Sequence, residues 1–190
     1  MNVLEALNVV MLSSLLAVAV VYDIRFRRIP NKLVLVGMAV GLIVRAVVGA
    51  DGHRLNLNDS MAVLGSSMAG GLTGLAIFIP FYALRTMGAG DVKLLAMVGI
   101  WVGAETVFWA ALFTLAAGGV LALTVALYSG VLRQVLHNVQ AMVLSSAARV
   151  QGGLPMPRTA LQTTGRLPYA VAIACGTSLA LVRQAGWLPL

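Results

Sequence analysis

The sequence predicts an all-α polytopic membrane protein: about six transmembrane helices and one further amphipathic helix at the cytoplasmic interface. Three observations lead there. Of 190 residues, 60% are apolar and only 10% charged, whereas a soluble domain needs about 25% charged residues to dress its surface; the mean hydropathy is +0.95. The apolar residues gather in six charge-poor runs, against the roughly 20 apolar residues that a spanning helix needs. The basic residues between the runs are unevenly shared between alternate loops, as they are around membrane spans.

The first run, Val3 to Tyr22, opens with Glu5 instead of a basic cluster and is followed by Arg25, Arg27 and Arg28, the flank of a retained anchor and not of a cleaved signal. The second extends from Leu33 to Ala50 and the third from Ser60 to Leu84. Gly70, Gly71 and Gly74 line the third with a small-residue stripe suited to close helix contact. The fourth, Val92 to Ala104, is the shortest: about 13 residues reach some 20 Å against a hydrocarbon core near 30 Å, so it is expected to be half-buried or to start inside the preceding loop. The fifth spans Thr106 to Leu132. Leu132, Val135, Leu136, Val139, Met142 and Val143 then recur at helical spacing between polar residues, the pattern of an interfacial amphipathic helix. Gln151 to Arg158, with two glycines and two prolines, reads as loop. The sixth run is Leu167 to Gly186. A single domain, 1–190, is expected.

Ten basic residues (Arg25, Arg27, Arg28, Lys32, Arg85, Lys93, Arg133, Arg149, Arg158 and Arg166) fall on one side and three (Arg45, Arg54 and Arg183) on the other. The first side is therefore predicted to be cytoplasmic and both termini outside. Of six acidic residues, Glu5, Asp51, Asp59 and Glu105 fall outside, leaving Asp23 and Asp91 at the basic cytoplasmic ends of spans. The net charge of +7 is thus accounted for by topology and anionic headgroups, and nucleic acid is not an expected partner.

Composition also excludes several chemistries. One cysteine, Cys175, allows no internal disulfide or cysteine-based zinc cluster, and His53 and His137 make no metal-ligand pattern. The stretch Gly65-Ser-Ser-Met-Ala69 misses the serine-hydrolase elbow, and no span carries a histidine base. No metal site is expected. What remains is the pair Asp23 and Asp91, the latter preceded by Gly88 and Gly90, where absent side chains let the backbone bend or another chain approach. Two neighbouring carboxyls share one proton. The ionised member can then activate a water while the protonated one donates to a peptide carbonyl. The residues themselves leave two other readings open: interfacial aspartates paired with Arg25 and Lys93, or a proton carrier or scaffold. Lys93 suits either role, because a nearby cation favours an ionised Asp91 and a lysine at a span end also anchors at headgroups.

Three stretches, Asp23-Ile-Arg-Phe-Arg-Arg-Ile-Pro-Asn31, Gly88-Ala-Gly-Asp-Val-Lys-Leu94 and Leu167-Pro-Tyr-Ala-Val-Ala-Ile-Ala174, resemble the type IV prepilin peptidases, GxGD-type aspartic proteases of bacterial and archaeal membranes. The six-run layout is similar too. The resemblance implies that Asp23 and Asp91 are the catalytic pair, that Gly88 and Gly90 are the motif glycines, and that Pro30, Asn31, Lys93, Pro168 and Tyr169 support them. It implies leader removal from prepilins and pilin-like precursors at the cytoplasmic face of the inner membrane, with the pilus assembly machinery and membrane lipids as further partners. The inserted methyltransferase domain of two-function members has no counterpart here, so the chain looks like the peptidase-only form of tight-adherence or Flp pilus systems, and no cofactor is expected. Presenilin-like proteases share a Tyr-Asp and a G-x-G-D, but six runs and Asp23 at a helix end beside arginines favour cleavage at the membrane surface.

The topology has a direct test. In a Cys175→Ala background, cysteines placed at Asp51 and at Gln151 are expected to react with impermeant reagents from opposite sides of the membrane. Labelling of the Gln151 site from outside the cell would overturn the orientation.

Overall fold

A computed structural model describes residues 3–48, 57–84, 87–130, 140 and 168–186. Among the described residues the chain is helical, with no strand: α1 (Val3–Phe26), α2 (Asn31–Val48), α3 (Leu57–Ala83), α4 (Ala89–Val102), α5 (Ala104–Tyr128) and α6 (Tyr169–Gln184). The expected amphipathic helix and the loop at 151–158 lie outside them. The chain forms two compact units, Met1–Gly118 with Pro168–Leu190, and Gly119–Leu167. Helix α4 and the core around it belong to the first.

Among the described residues three helices are long and apolar enough to cross a membrane, over Ala6–Phe26, Met61–Ala83 and Ala104–Tyr128. They carry large apolar side chains outward, among them Val10, Val18 and Val21 on α1, Met68, Leu72 and Ile79 on α3, and Phe108 and Leu112 on α5. Such a surface suits hydrocarbon and not water. Helices α2, α4 and α6 are shorter, at 18, 14 and 16 residues.

Helix α4 is the hub. At 1.5 Å per residue it is about 21 Å long, and it packs against α1, α2, α3 and α6. From Leu94 to Trp101 every residue is buried, which explains why the run showed no amphipathic face: a helix apolar all round is enclosed all round. The sequence placed its start at Val92, and the helix begins three residues earlier, inside the loop, with extended Gly88 (φ −78°, ψ 150°) as its cap residue. At the other end Gly103 turns the chain at φ 83°, and α5 starts at once.

Glycine is what allows α3 and α4 to approach. A methyl group on Gly70 would collide with the carbonyl oxygen of Gly99 and with the Gly103 backbone, and one on Gly99 would collide with Gly70. Gly71 and Gly74 lie against Ile100 and the Leu95 carbonyl. The predicted small-residue stripe is therefore the α3–α4 contact. On α2, Gly37 and Gly41 make room for Met97 and for the Trp101 ring, whose Nε1 donates to the Gly37 carbonyl at 2.9 Å. Leu12, Leu16 and Ala19 of α1, Phe78 of α3, Val107 and Ala111 of α5 and Ile173 of α6 close the core around α4.

At the Trp101 end, two arginines find partners within the bundle. Buried Arg45 donates from Nε to Ser67 Oγ at 3.1 Å and from Nη1 to the Trp101 carbonyl at 3.2 Å, occupying an oxygen that the end of α4 leaves without a helical donor. Arg183 lies 3.7 Å from Glu105 and 4.1 Å from the centre of the Trp109 ring.

Gly70→Ala or Gly99→Ala is expected to push α3 from α4 and to cost about 1–3 kcal/mol, as overpacking does. Gly65→Ala, on the same helix but with nothing within 4 Å, should instead stabilise by up to about 1 kcal/mol, since alanine is the better helix former. Thermal unfolding in detergent distinguishes them, and equal effects at positions 65 and 70 would contradict the contact.

Candidate active site

The opposite end of α4 brings together residues from three separate stretches of sequence. Asp23 lies in the last turn of α1. The chain leaves that helix through Arg27, whose N–H bonds to the Asp23 carbonyl at 2.9 Å and whose φ of 52° puts a non-glycine residue in the left-handed region, a conformation found at helix C-termini. It then runs through Ile29 and Pro30 into α2. The Pro30 carbonyl accepts the N–H groups of Leu33 and Val34 at 3.1 and 3.4 Å, so Pro30 starts the first turn of α2 with a φ fixed in advance.

The two motif glycines have different tasks. The Gly88 N–H donates to Asp91 Oδ2 at 3.2 Å while the Asp91 N–H returns to the Gly88 carbonyl at 3.1 Å. A Cβ on Gly88 would stand 3.1 Å from that same carboxylate oxygen. Gly88 therefore lets the carboxyl fold back over the helix start. Gly90 faces the other way, where a Cβ would lie 3.3 Å from the Ile29 side chain, so Gly90 admits the α1–α2 connection against α4. One glycine fixes the carboxyl; the other brings the Asp23 stretch alongside.

Asp23 is only 7% exposed, and its Oδ2 accepts the backbone N–H of Ala170, on α6, at 3.0 Å. A buried carboxylate without donors would be severely penalised. Burial, and next the charge of Asp23, push the Asp91 carboxyl from 3.8 up to about 6, while the Gly88 N–H works in the opposite direction. Asp91 thus feels Asp23 electrostatically, a like charge that makes its own ionisation harder.

Lys93 does not pair with Asp91. Its Nζ donates to Asn31 Oδ1 at 3.2 Å, joining the starts of α2 and α4. Among the described residues neither Asp23 nor Asp91 forms an ion pair with Arg25 or Lys93, so the expectation of aspartates serving as simple salt-bridge partners finds no contact to rest on. Arg25, Arg27, Arg28 and Lys32 are all exposed. Pro168 sits at the cap of α6, and the Tyr169 ring packs where a Cβ on Gly118 would meet it at 3.1 Å. Among the described residues no three of His, Cys, Asp and Glu cluster as metal ligands would. The Ala170 amide is the one contributor that sequence reading missed. A backbone donor has no residue-type signature, and the only hint was the absence of a capping side chain before Tyr169.

The model of the type IV leader peptidase family matches residues 10–125, a segment that contains Asp23, the Gly88–Asp91 turn and all of α2 to α4, but not α6. No curated protein and no solved structure matches the chain.

The raised Asp91 carboxyl has a consequence for stability. Below about pH 4 both folded and unfolded chains hold the proton. As pH rises from about 4 to about 6 the unfolded chain ionises first, so folded-state stability falls, and above about 6 the loss is constant. Asp91→Asn is therefore expected to be more stable than wild type at neutral pH, by up to about 3 kcal/mol, with the gap closing below about pH 4. Parallel unfolding of the two proteins from pH 4 to 7 measures it; a pH-independent gap would contradict the shift.

Proposed function

The chain belongs to the type IV leader peptidase family, and from that membership we propose that it is an aspartic endopeptidase in which Asp23 and Asp91 act as a water-activating pair. The observation that carries this reading is the electrostatic coupling of the two carboxyls beside a Gly88–Asp91 turn that holds one of them in place. With one shared proton, the ionised carboxyl takes a proton from water as its oxygen attacks the scissile carbonyl, and the protonated carboxyl donates to the carbonyl oxygen. Collapse of the tetrahedral species breaks the C–N bond: a dyad proton leaves with the amine, and one hydroxyl proton of the tetrahedral carbon returns to the ionised carboxyl, which restores the single shared proton. The pair is then ready for another water. No metal or methyl donor enters this sequence.

The substrate in this reading is a prepilin or pilin-like precursor with a short basic leader ahead of an apolar helix. The site lies at the end of the bundle that the Lys and Arg count assigns to the cytoplasm, where such a leader would be found. An inner-membrane location, six spans with both termini outside, and contact with a Flp-type pilus machinery complete the proposal. A scaffold or proton-carrier role has less support, because among the described residues neither aspartate is paired with a neighbouring cation.

Co-expression with candidate precursors from the same genome, read as intact precursor mass, tests the reaction. Wild type is expected to remove the leader, while Asp23→Asn and Asp91→Asn reach normal membrane levels and leave it in place. Asp→Glu at either position should also fail, because the pair must hold one water between two carboxyls. Persistence of the leader with wild type, or full processing by either Asn variant, would refute the proposal.

A further inference from the structure

Helix α6 begins without a local cap. No Ser, Thr, Asp or Asn stands at residues 165–168, and Pro168 makes no side-chain hydrogen bond to the helix, so its first-turn amides need acceptors from elsewhere. The Val171 N–H turns back to the Pro168 carbonyl at 3.2 Å. Ala170 is completely buried, and its N–H goes to Asp23 Oδ2, 147 positions earlier in the chain. Asp23 has the converse need. It sits at the carbonyl end of α1, where the helix dipole disfavours a negative charge, and has almost no access to water. The amide end of α6 offers a donor and a positive dipole end at that point. Each helix terminus thus supplies what the other lacks.

Packing keeps the donor in place. Gly176 lies so close to the backbone of Ala110 and Thr114 on α5 that no side chain would fit, and the Tyr169 ring packs on Gly118. Ile173, Thr177 and Ala180 continue the buried face of α6. The Ala170 amide therefore stands on a helix that cannot easily shift.

We propose that the backbone amide of Ala170 positions Asp23 for catalysis, which makes α6, a helix outside the family-matched segment, part of the catalytic machinery. This rests on the reading of Asp23 as half of the water-activating pair. Without the amide the carboxylate would keep its place in the chain but lose the contact that fixes its orientation. An error of about 1 Å in such a group lowers turnover on the order of a hundredfold.

Ala170→Pro deletes the donor at a helical position where proline is tolerated, and Ala170→Gly keeps it. With purified proteins in detergent and a precursor carrying a basic leader and an apolar helix, Ala170→Pro is expected to lower kcat about a hundredfold with KM little changed. Ala170→Gly should stay within a few-fold of wild type. A folded Ala170→Pro protein with wild-type kcat, or an equal loss in the glycine variant, would overturn the proposal. A measurement that does not depend on the proline variant folding uses the 15N-alanine-labelled protein alone. The Ala170 amide proton should move upfield and exchange faster in Asp23→Ala but not in Asp91→Ala, and an unmoved Ala170 signal in Asp23→Ala would overturn it equally. The two levels separate cleanly: cleavage by Asp23→Asn would remove the dyad itself, whereas an inactive Asp23→Asn beside a fully active, folded Ala170→Pro removes only the positioning role.

Discussion

The close contact of α3 with α4 is the constraint on which the rest of the structure depends. A 14-residue helix is too short to present itself to hydrocarbon across a bilayer. It is stable here because α1, α2, α3 and α6 enclose it, and Gly70, Gly71, Gly74 and Gly99 bring the nearest of them within backbone contact. In a membrane, where burial of apolar surface gives no drive for helices to associate, such close van der Waals packing is what holds them. The Trp101 end of α4 is thereby enclosed, while at its other end Gly88 and Ala89 are exposed and Asp91 is half-buried. One end takes the Arg45 guanidinium and the other holds Asp91, so the glycine contact sets where a carboxyl can sit inside the bundle.

The two ends solve the problem of buried charge differently. Around Trp101 the cations are neutralised or spread out, Arg45 onto a hydroxyl and a carbonyl and Arg183 onto Glu105 and an aromatic face. Around Asp91 the carboxyls receive neutral backbone amides instead, from Gly88 and from Ala170, while the nearest lysine is held by Asn31. The difference matters for chemistry. A cation beside a carboxylate favours its ionised form through full charge, whereas a neutral amide favours it through a directed hydrogen bond and fixes its orientation. Arg45 and Arg183 thus stand toward one end of α4 and the two aspartates toward the other.

Much of this was legible in the sequence because lipid imposes simple rules. Apolar runs of this length become helices, since within a single segment only a helix satisfies all its own backbone hydrogen bonds without water, and the described residues are helical accordingly. The stripe Gly70, Gly71 and Gly74 announced a close contact, though not that α4 was the partner. Gly88 and Gly90 stood out as a pair, but their separate tasks depend on where the Asp91 carboxyl and Ile29 lie, which no spacing encodes. The start of α4 was placed three residues late because the polar look of Gly-Ala-Gly-Asp masks a helical first turn. Lys93 was read as a neighbour of Asp91 from its distance along the chain, but on a helix residues two apart point to different faces, and its ammonium turns to α2 instead. Ala170 was invisible because its contribution is a peptide N–H, identical in every residue but proline.

The bond from Ala170 to Asp23 spans 147 positions, and that separation has a temporal meaning. Asp23 is in the first described helix, yet it has no donor from α6 until translation has passed residue 170 and the last described helix has docked. During synthesis the carboxyl stands without this donor at the edge of an unfinished bundle. Closing so long a loop adds only slowly to the entropic cost of the contact, but it makes the pairing one of the most non-local in the fold, and such contacts form late. A partly made chain would therefore insert its apolar helices before Asp23 received its donor from α6, so that this contact arrives as an event of assembly and not of translation.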